Sequence, residues 1–368
     1  MQRRNTESSL ADILFPSLSE EELSDSILNI PPEQRRLHTD TYDFSISTIL
    51  DYLDTKNMYI PEFQRKFVWT IPQASRLIES LIIQCPIPVI YLSQERDERL
   101  AVIDGNQRLK SIQSYINNEF ELKGLTAYPE LEGQRFFELD VRFQRHIMNR
   151  TLRCIVITKD THPQVKFDVF ERLNSGAIKL TSQELRHGIY HGSFMKLIEK
   201  LNKSHSWRDL LVSNLERRMK SEELIIRFLA MHYGLESYKK PLSNFLNNFA
   251  ETNRELPEQT SQEFKEVFER TVKGVHNIYG RYAFKVFDER GNLLNNFNAA
   301  LFDAEMLSVS RLTNEITFSE EEKSLFYKDL VKLFQEDSFS KAVTRATSDS
   351  SRILYRVNAV RKILEKHL

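Results

Sequence analysis

The most informative segment for chemistry is Arg99–Ile116, RLAVIDGNQRLKSIQSYI. Its apolar run ends at a carboxylate, Asp104, Gly105 permits a tight turn, and Leu109, Ile112 and Ile116 then recur at helical spacing. Strand, glycine turn and helix make a phosphate-binding arrangement, because the first N–H groups of a helix lack intrahelical acceptors and its dipole favours an anion. In that arrangement Gly105, Asn106 and Gln107 form a cradle, and Arg108 adds a planar fork that matches a phosphate. Asp104 stands where a carboxylate can hold Mg²⁺ or orient a water. On spacing alone the commoner reading is plainer: Asp104 caps the helix. Neither a GxxxxGK[ST] loop nor a GxGxxG loop is present, so any phosphate site here belongs to another class.

The elements that must position this turn are short β-branched runs and amphipathic helices. Strands are expected at Ile87–Leu92 (IPVIYL), Leu100–Ile103 (LAVI) and Leu152–Ile157 (LRCIVI). A helix is expected from Ile71, with Thr70 as cap, Pro72 in the first turn, and Leu77, Ile78, Leu81 and Ile82 on one face. The arginine-rich stretch Arg135–Arg150 also reads as helical. Nine of the eleven prolines fall at or before Pro163, so a mixed front and a helical rear are expected. Thr161 and Pro163 can start a helix bearing Val165, Phe167, Val169, Phe170 and Leu173, which Asn174-Ser175-Gly176 would end. Thr181 and Glu184 form a capping-box pattern for the next helix. Amphipathic runs follow at Leu224–Tyr233, Phe264–Tyr279, Ala299–Val309, Leu325–Phe334 and Arg352–Leu364. The stretches NFLNNFA and NLLNNFNAA hint at a repeat. The division is a polar arm over 1–41, an α/β domain over 42–160 and an α-helical domain over 161–368, an α+β chain.

Composition bounds the function. With 368 residues the chain is too long for one core of ordinary size, and 51 Lys and Arg against 52 Asp and Glu exclude a uniformly basic DNA coat. Two cysteines, Cys85 and Cys154, lack any CxxC or Cys/His zinc spacing, point to a reducing compartment and read as small buried hydrophobes. No apolar run approaches the ~18 residues of a membrane span and no signal peptide is evident, so a cytoplasmic protein without a membrane partner is expected. Glycine is scarce, at ten residues, which makes Gly105 and Gly176 harder to attribute to chance.

Other candidates carry competing readings. Gln64 and Arg65, among Phe63, Phe67 and Trp69, could set an amide and an arginine fork beside a nucleotide, or simply edge an aromatic core. Asn174, Ser175 and Gly176 could form a second wall of the site or only stop a helix. His187 and His191 are four apart, but Gly188 stands where a zinc protease needs Glu and no third ligand is near, so they read as structural. No GxSxG elbow is present. Basic residues cluster at Arg135, Arg142, Arg145, Arg150 and Arg153, and again from Lys341 onward, where seven cations face only Asp349 and Glu365. In that tail Arg352 and Arg356 read as one exposed face, either solvated or in contact with nucleic acid.

Three ordered stretches resemble the GmrSD-type restriction N-terminal domain family, of the ParB/sulfiredoxin-like superfamily. Its Asp-Gly-Gln-Gln-Arg motif is matched by Asp104-Gly105-Asn106-Gln107-Arg108, and its Pro-x-x-Gln-Arg-x-aromatic-x-Trp stretch by Pro61 to Trp69, with Gln64 and Arg65. Its Phe-x-x-x-Asn-x-Gly stretch, continuing to Leu-Ser/Thr, is matched by Phe170 to Gly176 and Leu180-Thr181. The resemblance covers Tyr42 to Ser193 closely and the helical remainder loosely. It implies a ParB/sulfiredoxin-like α/β domain that binds and hydrolyses a nucleoside triphosphate with Mg²⁺, acting on or sensing DNA in prokaryotic defence against phage. A partner protein of the defence system is implied too, and self-assembly stays open. It further implies that Asp104, Gln107 and Arg108 are catalytic, with Asp104 on the metal, and that Gln64, Arg65, Gly105, Asn106, Asn174, Ser175 and Gly176 hold the nucleotide. Asn106 replaces the family's Gln and shortens the amide by one methylene, which leaves nucleotide preference open. No Asp-His-x-x-Pro or His-Asn-His pattern follows Gly192, so the HNH nuclease of restriction relatives is not expected. The alternative expectation is a non-hydrolysing, nucleotide-gated DNA-binding or regulatory subunit whose partner carries the nuclease.

Overall fold

The computed structural model describes residues 30–31, 34–61, 69–173, 180–211, 218–287, 291–312 and 318–367. They fall into two compact units, one of Pro31–His191 with Arg217–Met219 and one of Gly192–Glu216 with Lys220–Leu368. No helix among the described residues is long and apolar enough to cross a membrane.

The first unit contains β1 (Thr39–Ser45), α1 (Ile46–Asp54), β2 (Met58–Tyr59), α2 (Ile71–Ile82), β3 (Ile90–Gln94), β4 (Leu100–Asp104), α3 (Asn106–Ile116), α4 (Val141–Asn149), β5 (Thr151–Ile157), α5 (Pro163–Leu173) and α6 (Ser182–Ile189). Its sheet runs β1-β5-β3-β4-β2, with β1/β5 and β3/β4 antiparallel and β3/β5 and β2/β4 parallel. The three strands expected from sequence are the central ones, where Ile90, Leu92, Val102 and Cys154 are fully buried. The edges, β1 and β2, were not legible: β1 (TDTYDFS) is almost wholly exposed and polar, as edge strands are, and β2 has two residues.

Local chemistry adjusts the expected boundaries. The strand expected from Ile87 begins at Ile90, because Pro86 and Pro88 cannot donate to a ladder. α2 starts at Thr70, whose N–H donates to Gln73 Oε1 at 2.9 Å, and buries Leu77, Ile78, Leu81 and Ile82. Within 135–150 the helix is shorter than expected, a single 3₁₀ turn at Phe136–Glu138 followed by α4, which Asp140 caps at Arg142 N. Cys154 is buried and its thiol is pushed up to about 12 by burial, whereas Cys85 is exposed, contrary to the sequence reading. The compact unit also runs past residue 160, where the sequence period changes. The Thr161 hydroxyl accepts from His38 N–H at 3.0 Å, and Lys166 Nζ donates to Gln94 O at 3.2 Å, so the start of α5 is tied to the sheet.

The second unit contains α7 (Ser193–Asn202), α8 (His205–Leu210), α9 (Lys220–Gly234), α10 (Leu242–Thr252), α11 (Glu258–Tyr279), a hairpin of β6 (Lys285–Phe287) and β7 (Leu293–Phe297), α12 (Ala299–Ser310), α13 (Glu320–Gln335), α14 (Asp337–Thr344) and α15 (Ser350–Lys366). The hairpin breaks the continuous helical reading and also removes the repeat: NFLNNFA lies in α10, while NLLNNFNAA runs from β7 into α12. Residues Ala300–Ser310 of α12 are all buried, so this helix is the axis of the unit. Its Asp303 accepts from Arg227 at 2.6 Å at both oxygens and from Arg356 at 2.5 Å. Arg356 is therefore not an exposed nucleic-acid contact, as its partners in sequence suggested, but a fully buried ion. It sits on the apolar face of α15 with Ile353, Val357, Val360 and Leu364. Arg352 spends its Nη1 on the carbonyls of Lys341 and Arg345, at 3.2 and 2.6 Å.

One carboxylate interrupts the apolar face of α2. Glu79 accepts N–H bonds from Thr126, Ala127 and Tyr128 at 2.9, 2.6 and 3.0 Å and so orders the loop after α3. Burial pushes its pKa up, but the donors of Tyr128, Ala127 and Thr126 outweigh it and hold the carboxyl below its usual value. A depressed folded pKa gives stability that is complete above the ordinary value of 4.5 and is lost as pH falls below it. Glu79→Gln is expected to cost about 1–3 kcal/mol at pH 7 in urea unfolding. The gap to wild type should close below pH 4, and a gap that persists in acid contradicts this assignment.

Candidate functional site

β4 delivers Asp104 to its C-terminal end, opposite Tyr91 of β3. Gly105 follows with φ 101° and ψ 5°, left-handed backbone that favours glycine, and occupies the cap position of α3. No side chain caps the helix there, so Asp104 is not its cap. A Cβ on Gly105 would collide with Ile90 Cδ1, inside the core. Glycine is thus required twice, by backbone conformation and by close packing.

The Asp104 carboxylate turns to Arg108, one helical turn on, whose Nη2 donates to Oδ2 at 2.7 Å. The same guanidinium donates to Pro88 O and, at 3.3 Å, to Val89 O. Those carbonyls lie just before β3, in the segment the prolines keep out of the ladder. Arg108 is therefore directed inward, onto Asp104 and the strand, rather than outward as a phosphate fork. Its side chain is only 11% exposed while that of Asp104 is 49% exposed, so the cation is a buried support and the carboxylate is the accessible partner. Burial pushes the Arg108 pKa down, and the Asp104 charge pushes it back up.

The next two positions close the turn. Asn106 Oδ1 accepts from Gln107 N–H at 2.8 Å, and Gln107 Oε1 accepts from Trp69 N–H at 3.4 Å. Trp69 thus brings the end of the Pro61–Trp69 motif to the N-terminus of α3. Gln64, Arg65, Asn174, Ser175 and Gly176 lie outside the described residues. Thr181, at the end of the third motif, accepts from Glu184 N–H at 3.2 Å while Glu184 accepts from Thr181 N–H at 2.6 Å, a capping box that starts α6. Arg352 and Arg356 belong to the other unit. Sequence reasoning missed the carbonyls of Pro88 and Val89; the signal was the Pro-x-Pro spacing that frees acceptors before a strand.

The described residues include no group of three His, Cys, Asp or Glu that could hold a metal ion. His187 is buried, and its ring centre lies 5.8 Å from that of His191. At the turn, Arg108 holds Oδ2 and leaves Asp104 Oδ1 as one protein oxygen for a cation. That fits Mg²⁺ only as an ion carried mostly by phosphate oxygens and water, the usual mode for that ion.

The fold and the turn define a small mixed α/β domain that sets a supported carboxylate beside a helix N-terminus. Residues 46–191 match the family model described as GmrSD restriction endonuclease, N-terminal domain, and this part of the chain is similar to that family. No curated protein shows a significant match to the chain.

The geometry orders the effects of substitution. Gly105→Ala is expected to cost at least about 2 kcal/mol, from left-handed backbone strain together with the Ile90 contact. Adding Ile90→Val removes the atom that clashes and should make the double variant less destabilised than the two singles summed, in urea unfolding. Strict additivity would contradict the packing role. Arg108→Met should cost roughly 3 kcal/mol by leaving carbonyls and a carboxylate without their cation, whereas Asp104→Asn, half exposed, should cost under about 1 kcal/mol. Equal losses in the two variants would mean that the pair, not the buried fork, carries the stability.

Proposed function

We propose that the chain is a cytoplasmic component of a restriction or phage-defence system whose first unit, ParB/sulfiredoxin-like in descent, binds a nucleoside triphosphate at the β4–α3 turn and hydrolyses it. The observation that carries this reading is the convergence of two features on Gly105: the N-terminus of α3 and a half-exposed carboxylate fixed by a buried cation. The backbone N–H groups of the first turn of α3 would donate to phosphate oxygens, as helix N-termini do, that of Gln107 exchanging Asn106 Oδ1 for phosphate. Gln64 and Arg65 would flank them, and Asn174, Ser175 and Gly176 would wall the base or sugar, as their motifs imply. Bound Mg²⁺ would supply charge neutralisation at the phosphates. Asp104 Oδ1, the oxygen that Arg108 does not hold, orients a water and takes its proton. Arg108 is a positioning residue, not a phosphate contact. The family description supports coupling of this step to DNA and to a partner protein of the same system.

One feature favours a second reading. Arg108 already engages Asp104 through Oδ2, so the turn also suits a nucleotide-gated DNA-binding or regulatory subunit with negligible turnover, whose partner carries the nuclease. Binding of the four NTPs with Mg²⁺ and release of phosphate, measured on the full chain, separate the two. Hydrolysis predicts turnover that Asp104→Asn lowers by about 100-fold while binding changes little. Binding without wild-type turnover selects the gated subunit, and no nucleotide binding by the folded wild type removes both.

A further inference from the structure

The sheet of the first unit ends on an exposed strand. All seven residues of β1 pair with β5 in unbroken register, yet Thr39 to Asp43 are open to solvent. Ile46 N–H donates to Arg150 O at 2.9 Å and His38 O accepts from Thr158 N–H at 3.0 Å, so the even-numbered positions turn toward β5. The N–H and C=O groups of Thr39, Thr41 and Asp43 therefore point to the outer edge, and among the described residues no partner meets them there. Edges of this length are ordinarily blunted by lysine, proline or a bulge, and β1 (TDTYDFS) has none of these. One of its two carboxylates is already balanced, because Arg153 holds both oxygens of Asp43 at 3.1 Å.

The strand is also complementary to itself. Two copies related by a two-fold axis pair antiparallel, with outward positions facing outward positions. An axis through Tyr42 uses the whole strand: Thr39 opposes Ser45 of the second copy, Asp40 opposes Phe44, Thr41 opposes Asp43, and Tyr42 opposes itself. No like charges then stand directly opposite, whereas an axis through Asp43 would set that carboxylate against its own copy. An axis through Thr41 would leave Phe44 and Ser45 beyond the end of the second strand. The central pair is aromatic: Tyr42, 44% exposed, stacks on Phe44 at 5.3 Å and 6°, and Phe44 packs 5.6 Å from Tyr52 of α1. The axis through Tyr42 joins two such rows and covers the rings that each copy shows to water. On the other face, Thr41 brings a hydroxyl to the Asp43 carboxylate that Arg153 balances. A strand of unrelated sequence would use the same backbone groups without this side-chain match, so the symmetry selects a second copy.

We propose that the chain forms a two-fold dimer through β1, centred on Tyr42, which joins two sheets into one continuous sheet. The dimer stands whether or not the β4–α3 turn takes a nucleotide. One strand pair is a small interface, so association is weak and is tested by sedimentation velocity of the full chain over a concentration series reaching ~100 μM. Wild type should pass from monomer to dimer across the series. Thr41→Pro removes an outward N–H that β5 does not use, a change edge strands tolerate, and should weaken association at least about tenfold with the thermal midpoint little changed. Should that variant fail to fold, cysteine pairing reads the register directly, in a Cys85→Ser/Cys154→Ala background. Tyr42→Cys should give a disulfide-linked dimer on mild oxidation, and Thr41→Cys should not, because its own copy lies beyond the ~7 Å Cα separation that a disulfide spans. Three results overturn the proposal: a wild type that stays monomeric throughout the series, which leaves the edge to a strand of another protein; a folded Thr41→Pro variant that dimerises as well as wild type; or cross-linking of the Thr41→Cys variant and not of the Tyr42→Cys variant.

Discussion

One guanidinium holds the first unit's candidate site together. A buried cation is costly unless acceptors surround it, and Arg108 finds three: the Asp104 carboxylate and the carbonyls of Pro88 and Val89. Two of these exist because Pro86 and Pro88 delay the start of β3 and leave carbonyls outside the ladder. The third belongs to the last residue of β4. The side chain itself comes from the first turn of α3, so one planar group pins two strands and a helix at a single point. Gly105 makes the approach feasible, since any Cβ there would meet Ile90.

The second unit solves a similar problem to a different end. Asp303 is grasped by Arg227 and Arg356, and the side chains of Asp303 and Arg356 are wholly inaccessible. Such a cluster fixes how α9, α12 and α15 pack, and offers nothing to a ligand. Two residues along α12, Glu305 is also buried; burial drives its pKa well above the usual value, against the one N–H it accepts from Phe284. Exposure separates the two arginine–aspartate arrangements: Asp104 keeps half of its side chain accessible and Asp303 keeps none. That difference leaves the first open to a ligand and confines the second to packing.

The central strands, the Gly105 turn and most helices were legible because local signals agree there: β-branched runs, glycine, and helix caps at Thr70 and Thr181. The direction of Arg108 was not, because its acceptors lie twenty residues back and their freedom depends on a proline effect. Arg356 was misplaced for a simpler reason. It is three residues from Ile353 and four from Val360, so helical spacing itself puts it on the apolar face, and only the habit of assigning arginine to solvent hid this. The edge strand β1 and the β6–β7 hairpin escaped because polar edges and three-residue strands carry little periodic signal.

The central claim, that a nucleotide's phosphates sit on the first turn of α3, is met most directly by amide hydrogen exchange of the full chain with and without saturating nucleoside triphosphate and Mg²⁺. Amides of Asn106, Gln107 and Arg108 should exchange more slowly in the bound state, since each would then donate to phosphate or be shielded by it. Nucleotide binding that leaves exchange at 105–109 unchanged while protecting another segment would contradict the assignment.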